Sequence, residues 1–378
     1  MKPRSRLFIV LIASLALLSA CGPTVQTTPP TIAPAPTAAP APTVAPTPAP
    51  TVATRSDAVI ATEIDNYIGK LVNAKLFNGV VLVARDGNII FEQGYGMADR
   101  EAQTPITDRT QFYLGSLNKP FTAAAILLLQ QDGKLNVNDP ICTYLPDCPD
   151  SWQPITIHQL LTHTGGFPFS PGISYAKPVT PAELQAAITR VAPAPTPGAF
   201  SYSDTSYILA GRIVEQVSGM PYEAFLQTRI FDPLGMTDTG YGTTALRLAR
   251  GYTSATVAAE MFEPTVDYAA GGVYSTVEDL LRWDQALYTD TPLSAASRAQ
   301  MFTAQTPIDV DVDYGYGWVL ENYKNHRLIW HGGAVPGCRG LLARYVDDRI
   351  TIIILANQET FDIDTVRPYI SDIVLDIK

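Results

Sequence analysis

One stretch of this chain has a composition that does not form a core, and it limits where folding can begin. Residues 22–54 hold ten prolines in thirty-three positions and no charged side chain. Such a segment buries too little apolar surface to fold, and its prolines keep it extended, to about 100 Å at most. We therefore expect a tether here, followed by a folded part that begins near residue 56 and is long enough for one large core.

The residues before the tether have the pattern of an export signal. Three basic residues precede an apolar run over residues 7–18, which is too short to span a bilayer. The run ends in Leu-Ser-Ala-Cys, which resembles the lipobox of bacterial lipoproteins. We expect residues 1–20 to be a lipoprotein signal peptide, Cys21 to carry the lipid and residues 21–55 to form the tether. An ordinary secretory peptide with an incidental cysteine is the alternative.

Charge and compartment limit the partners. The formal net charge is −10 at pH 7, which argues against binding to nucleic acid and against electrostatic attachment to anionic lipid. We expect an extracytoplasmic protein that is held on the bacterial cell membrane through its lipid anchor only. Export also permits a disulfide between Cys142 and Cys148, although two reduced thiols in this loop fit the sequence equally well. Cys338 is then left over as a small buried residue.

Hydrophobic periodicity predicts an α+β fold. Apolar spacing indicates a first helix over residues 59–72, a β-hairpin with Asp86-Gly87 as its turn, and a last helix from about residue 362. Residues 113–300 are rich in helices and loops. We expect one antiparallel sheet built from both chain ends and flanked by the first and last helices, beside a mostly helical lobe. The other predicted strands lie at residues 314–321, 327–331, 340–346 and 350–355.

A Ser-x-x-Lys tetrad marks the start of an apolar helix. Ser116 and Lys119 lie one helical turn apart, which lets an amine take the proton of a serine nucleophile. The motif alone is weak evidence, since residues 174–177 match it too, but prolines on both sides keep that second copy from opening a helix. Unpaired N–H groups at a helix start also favour an oxyanion.

At this point the sequence resembles the serine β-lactamase and penicillin-binding-protein family, in particular its class C-like, esterase and D-aminopeptidase branch. The resemblance covers nearly all of residues 57–378. It implies a β-lactamase/transpeptidase-like fold and a serine hydrolase domain over residues 56–378 that uses no cofactor. Besides the tetrad, it rests on the stretches LLTHTGG (160–166), FSYSD (200–204), FDPLGM (231–236), AGGVYST (270–276) and HGG (331–333).

The resemblance also implies a role for each site residue. Ser116 matches the nucleophile, Lys119 its activating amine, and Tyr202 the tyrosine that exchanges protons between nucleophile and leaving group. The backbone N–H groups of Ser116 and Ala334 would form the oxyanion hole. His331-Gly332-Gly333 matches the third motif, usually Lys-Thr-Gly, whose glycines would leave room for a substrate carbonyl.

Two positions depart from the family pattern. Asp204 replaces an asparagine, and its carboxylate should favour the charged form of Lys119, so that Tyr202 carries more of the base role or activity needs higher pH. His331 replaces a lysine that helps to hold a substrate carboxylate. A neutral histidine is a weaker anchor, which favours esters or peptides over β-lactams. Alternatively, His331 only packs beside Trp330.

Three further patterns have structural explanations. His158 and His163 have no third ligand at a zinc-like spacing, so we expect no metal and expect His163 to brace the loop before Gly165. Residues 275–278 have the pattern of a capping box that opens a helix over 279–287. Residues 314–318 fit a sheet strand better than a carbohydrate platform.

We therefore expect an enzyme that forms an acyl-enzyme on Ser116 and hydrolyses a small-molecule ester, a peptide or a cell-wall-derived substrate. An esterase or a D-amino-acid-type peptidase fits best, and weak β-lactamase activity is possible in this family. The choice should depend on the loops at residues 165–200 and 237–265. The alternative is a non-catalytic or penicillin-binding surface sensor that keeps the fold.

Overall fold

A computed structural model describes residues 55–191 and 198–377. The expected signal peptide, the lipidated Cys21 and the tether up to residue 54 lie outside the described residues, so these remain predictions. In the part of the chain that is described, we find no helix with the length and apolar character that a membrane crossing requires.

One large antiparallel sheet joins the two ends of the folded chain. The described strands are β1 (Gly79–Arg85), β2 (Asn88–Tyr95), β3 (Met97–Asp99), β4 (Thr104–Pro105), β5 (Phe112–Tyr113), β6 (Gly240–Tyr241), β7 (Val273–Ser275), β8 (Thr306–Asp309), β9 (Val312–Tyr314), β10 (Val319–Tyr323), β11 (His326–Val335), β12 (Cys338–Tyr345) and β13 (Ile350–Ala356). The strand order of the large sheet is β2-β1-β13-β12-β11-β10-β9-β8, and β1 pairs directly with β13, from Gly79↔Ala356 to Arg85↔Ile350. The predicted sheet built from both chain ends is therefore confirmed.

Helices cover both faces of this sheet. The described α-helices are α1 (Asp57–Asn73), α2 (Lys119–Gln131), α3 (Ile157–Leu161), α4 (Pro181–Val191), α5 (Asp204–Ser218), α6 (Tyr222–Leu226), α7 (Asp232–Leu234), α8 (Pro264–Gly271), α9 (Val277–Ala286), α10 (Ala295–Met301) and α11 (Ile363–Val374). The region predicted to be mostly helical contains α2 to α10, together with a small sheet of order β5-β7-β6 that the sequence did not indicate.

The two faces carry separate apolar cores. On one face, Ile60, Ile64 and Ile68 of α1 pack with α11 against β1 and its neighbours, and each buried side chain of this size contributes about 1.5–3 kcal/mol. On the other face, α2 is buried from Lys119 to Leu129, because it lies in the middle of the helical lobe. This central position fixes the serine turn that precedes α2.

The structure corrects the strand predicted at residues 314–321. β9 ends at Tyr314 and β10 begins at Val319, with a turn between them. Gly317 in this turn has φ +78°, and a Cβ added there would lie 2.9 Å from the Lys119 carbonyl oxygen. The chain must turn here because its backbone passes directly against the start of α2.

The predicted capping box at residues 275–278 is also wrong in its register. Ser275 belongs to β7, where its hydroxyl bonds Thr239 at 2.7 Å. Thr276 is the actual N-cap of α9, and its side chain accepts from the Asp279 N–H at 3.3 Å. The helix therefore begins at Val277 instead of residue 279.

Two shorter-range features concern positions that the sequence singled out. Arg85 and Asn88 pair across the Asp86-Gly87 turn between β1 and β2, as expected for a two-residue hairpin loop. Cys142 and Cys148 are joined by a disulfide with a Cα–Cα distance of 5.3 Å. Cys338 is buried.

Candidate active site

Ser116 lies where α2 approaches strand β11. It belongs to a 3-10 turn, Gly115–Asn118, that leads directly into α2, and its side chain is half-buried. The close approach depends on Gly333, because a Cβ there would clash with the Leu114 carbonyl oxygen. Gly333 therefore serves the packing of the serine turn, whereas the sequence suggested that it leaves room for substrate. Gly332 is the open position, since a Cβ added there would lie 3.7 Å from its nearest neighbouring atom.

Strand β11 also presents a free edge beside Ser116. Pairing with β10 stops at Val319↔Trp330, whereas pairing with β12 continues to Val335↔Cys338. Residues 331–335 are thus paired on one side only. Ala334, the expected second oxyanion donor, lies in this exposed part of the strand.

Lys119 is fully buried, and its amine bonds three oxygen atoms. Lys119 Nζ donates to Ser116 Oγ at 3.0 Å, to Asp204 Oδ1 at 2.6 Å and to the Ala270 carbonyl oxygen at 3.3 Å. An ammonium has three protons to donate and no lone pair to accept one, so this environment matches its charged form. The three contacts fix the amine directly beside the serine hydroxyl.

The electrostatics also favour a charged Lys119. Burial by itself lowers the pKa of Lys119, but the nearby Asp204 carboxylate and the Tyr202 hydroxyl outweigh that effect and raise the pKa above its usual value. This is the direction expected from Asp204. A lysine that keeps its proton cannot accept one from Ser116.

The aromatic ring of Tyr202 packs against the Lys119 amine. Lys119 Nζ lies 4.8 Å from the centre of the half-buried Tyr202 ring. Burial is the largest effect and, together with the Asp204 charge, raises the pKa of the Tyr202 hydroxyl above its usual value, although the charge of Lys119 and the proximity of Lys119 and Ser116 oppose this rise. The tyrosine hydroxyl therefore faces both the nucleophile and the cation.

The start of α5 places Tyr202 and Asp204 on the same side. Ser203 is the N-cap of α5, and its hydroxyl accepts from the Ser206 N–H at 3.1 Å. The two residues that flank this cap both reach Lys119. A carboxylate in the first turn is also favoured by the helix dipole.

A buried hydrogen-bond chain ends at His331, and its direction can be assigned from its two ends. His163 Nδ1 accepts from the Ser203 N–H at 3.1 Å, so His163 Nε2 carries the proton and donates to Tyr314 Oη at 3.2 Å. Tyr314 Oη in turn donates to His331 Nε2 at 3.0 Å. His331 Nδ1 then donates to the Gly332 carbonyl oxygen at 2.6 Å.

This His163–Tyr314–His331 chain is uncharged. Burial and the nearby charge of Lys119 lower the pKa of His331 to about 3, and the same two causes hold the pKa of His163 well below its usual value. The site thus has a neutral imidazole where the family pattern has a lysine. Sequence reasoning assigned His163 to a loop and Tyr314 to a strand, and no spacing signal links either of them to His331.

His158, which the sequence considered together with His163, has a different hydrogen-bond partner, and the two do not form a metal site. His158 Nδ1 bonds Tyr316 Oη at 2.7 Å and takes no part in the chain at His163. Among the residues that the structure describes, no three His, Cys, Asp or Glu side chains form a group that could hold a metal ion.

A cavity of about 510 Å³ opens onto Ser116. Of the two loops expected to shape it, the described residues contribute only Phe200. Apart from Ser116 and Tyr202, the remaining walls come from strands β8 to β12, from Phe361 and from the start of α11. Sequence reasoning missed these walls because they lie far from Ser116 in the chain. The lining residues are Ser116, Phe200, Tyr202, Ile308, Val312, Tyr314, Val319, Trp330, His331, Gly332, Gly333, Ala334, Arg339, Gly340, Phe361, Asp362, Ile363 and Asp364.

Known proteins are similar to this chain in sequence and in fold. The pattern of the Beta-lactamase family matches residues 64–374. A penicillin-binding protein of Bacillus subtilis (strain 168) is 35% identical over 315 residues, which are 75% of this chain and 68% of that protein. Esterase EstB of Burkholderia gladioli is 32% identical over 212 residues, which are 51% of this chain and 54% of that protein.

The structural comparison agrees. The octameric penicillin-binding protein homologue from Pyrococcus abyssi superimposes with a TM-score of 0.74 at 26% identity, over 83% of this chain and 77% of that one. The fold is thus the β-lactamase/transpeptidase-like fold expected from the sequence. The chain belongs to the beta-lactamase family and is a hydrolase of that family.

Proposed function

We propose that the protein is a carboxylic-ester hydrolase that forms an acyl-enzyme on Ser116. The observation that carries the proposal is the 3.0 Å distance between Lys119 Nζ and Ser116 Oγ, at the mouth of a cavity large enough for an ester. Ser116 Oγ attacks the ester carbonyl carbon, and the N–H groups of Ser116 and Ala334 hold the oxyanion.

Tyr202 is the proton carrier in this mechanism, and Lys119 stays charged. Burial keeps the pKa of Tyr202 above its usual value, so the phenolate form, which the Lys119 ammonium stabilises, becomes more populated as the pH rises. This form takes the proton from Ser116 Oγ as the new C–O bond forms. Tyr202 then gives that proton to the departing alkoxide. Water then attacks the acyl-enzyme. Tyr202 takes a proton from this water and gives it to Ser116 Oγ, so that the carboxylic acid is released and Ser116 is restored.

The neutral His331 supports an ester without a carboxylate as substrate. His331 is 4% exposed and bonded to Tyr314, so it offers no cation at the position of the family lysine. β-Lactams and peptide C-termini carry a carboxylate that such a site holds poorly. The likeness to Esterase EstB supports the same choice.

Hydrolysis of p-nitrophenyl acetate tests this function. We expect turnover by the purified protein and a loss on the order of 10³-fold or more in Ser116→Ala. Ser174→Ala is the matched control, because it alters the second Ser-x-x-Lys tetrad and should leave turnover unchanged. Labelling by a fluorescent penicillin without any ester turnover would instead favour the surface sensor.

We also infer that Cys21 anchors the protein to the bacterial membrane. The basic, apolar and Leu-Ser-Ala-Cys pattern of residues 1–21 supports this. Metabolic labelling with palmitate should mark the wild type and Cys338→Ser but not Cys21→Ser. Equal labelling of all three proteins would contradict the anchor.

A further inference from the structure

We propose that Ile308, Val312 and Val319 form a pocket for an apolar substituent of the substrate, so that the preferred ester carries an aliphatic chain or a ring there. This inference rests on the proposed hydrolysis at Ser116 and names the substrate class.

The three aliphatic side chains share one cavity with the nucleophile. Ile308, Val312 and Val319 line the cavity of about 510 Å³ that also reaches Ser116. Each of the three is half-buried, so each still offers apolar surface to a ligand. Phe200 and Trp330 add aromatic surface to the same cavity. An apolar substituent placed here would remove apolar surface of both the ligand and the pocket from water, which is favourable.

Apolar and acidic residues alternate along the hairpin between β8 and β9, and they line different cavities. Residues 308–313 read Ile-Asp-Val-Asp-Val-Asp. Ile308 and Val312 line the cavity at Ser116, whereas Asp311 and Asp313 line a different cavity, of about 750 Å³. Such a division follows from side chains that alternate between the two faces of a strand. The acidic side chains are thereby kept away from the substrate.

The charged side chains that do line the cavity are Arg339, Asp362 and Asp364. Arg339 faces the Glu359 carboxylate at 3.8 Å, and Asp362 accepts from the Thr365 N–H and hydroxyl at 3.1 and 2.7 Å as the N-cap of α11. Two of the three thus have partners within the protein. None of the three belongs to β8, β9 or β10, the strands that carry Ile308, Val312 and Val319.

A series of p-nitrophenyl esters from acetate to octanoate tests the pocket. In the wild type, kcat/KM should rise roughly fourfold for each added methylene until the pocket is full. Val312→Trp should fill the pocket and abolish this rise. The milder Val312→Thr should make the rise per methylene smaller. A parallel series of alkyl acetates distinguishes a pocket for the acyl group from one for the alcohol, and a rise in either series supports the proposal.

Val310 provides the matched control. It lies in the same turn but is 82% exposed and does not line the cavity. Val310→Trp and Val310→Thr should therefore keep the wild-type dependence on chain length. Wild-type profiles that are flat in both ester series, or profiles that change equally at positions 310 and 312, would overturn the proposal.

Binding to Ser116→Ala separates this inference from the proposed function. If the wild type hydrolysed no ester, the proposed function would fail, but calorimetry would still test the pocket. We expect Ser116→Ala to bind p-nitrophenyl hexanoate more tightly than the acetate, and Ser116→Ala combined with Val312→Trp to lose that difference. Equal affinity of Ser116→Ala for these two esters, together with equal affinity for ethyl acetate and hexyl acetate, would overturn the pocket independently of turnover.

Discussion

Lys119 Nζ lies 2.6 Å from Asp204 Oδ1, and this ion pair sits directly beside the serine hydroxyl. A neutral amide at position 204 could accept the same hydrogen bond without a negative charge. The carboxylate instead raises the pKa of Lys119, so the amine keeps its proton and Tyr202 becomes the group that moves one. Asp204, in place of the family's asparagine, thereby changes the expected general base from Lys119 to Tyr202.

Asp204→Asn should move both limbs of the pH–rate profile to lower pH. The acidic limb moves because the Asp204 charge raises the pKa of Tyr202, and the alkaline limb moves because the same charge raises the pKa of Lys119. The measurement is kcat/KM for p-nitrophenyl acetate across pH. Asp290→Asn is the control, since the Asp290 side chain is 77% exposed. An acidic limb that stays in place would contradict the assignment of Tyr202.

Tyr202→Phe should abolish most of the activity without harming the fold. The ring that packs 4.4 Å from the His163 ring is kept, and only the hydroxyl that carries the proton is lost. We expect kcat/KM to fall by about 10²–10⁴-fold. Tyr323→Phe removes a hydroxyl that bonds Asp372, outside the cavity, and should keep full activity. Similar rates in the two variants would refute the proton-carrier role.

Tyr314→Phe should destabilise the protein. It leaves His331 Nε2 without a donor and His163 Nε2 without an acceptor, both in a buried site. Unpaired buried polar groups cost about 1–3 kcal/mol each. Urea unfolding should therefore show a lower free energy of unfolding than in Tyr316→Phe, which removes a bond to the half-buried His158. Equal losses in the two variants would be inconsistent with the assigned chain.

His331→Gln should make stability less dependent on pH. The pKa of His331 is lowered in the folded protein to about 3, so the unfolded chain binds a proton that the folded one does not, and stability falls as pH drops from about 6.5 toward 3. Without this imidazole, the slope of unfolding free energy between pH 6 and 4 should decrease by up to about 1.4 kcal/mol per pH unit. Parallel curves would mean that His331 is not held neutral.

Local sequence patterns predicted the parts of the fold that depend on neighbouring residues. The Asp86-Gly87 hairpin and the apolar helix after Ser116 are examples, because turn residues and periodicity act within a few positions. The turn at residues 315–318 was missed, since it joins two strands that pair with each other and packs Gly317 against the backbone of Lys119, which is distant in the chain.

Some residues of the candidate site were predicted from the sequence, and others were not. Family motifs pointed to Ser116, Lys119, Tyr202 and Asp204, and the structure brings these four side chains together. The chain through Tyr314 joins residues that are 151 and 17 positions apart, and no local pattern predicts such a meeting. The cavity walls were missed for the same physical reason.

The most direct test of the account is to find which residue carries the acyl group. The protein would be mixed with p-nitrophenyl butyrate, quenched in acid during turnover, digested and analysed by mass spectrometry. We predict a butyryl group on Ser116 in the wild type, and none on any serine in Ser116→Ala. Turnover with the butyryl group on another residue, or with Ser116 unmodified under conditions that trap the intermediate, would contradict the proposed mechanism.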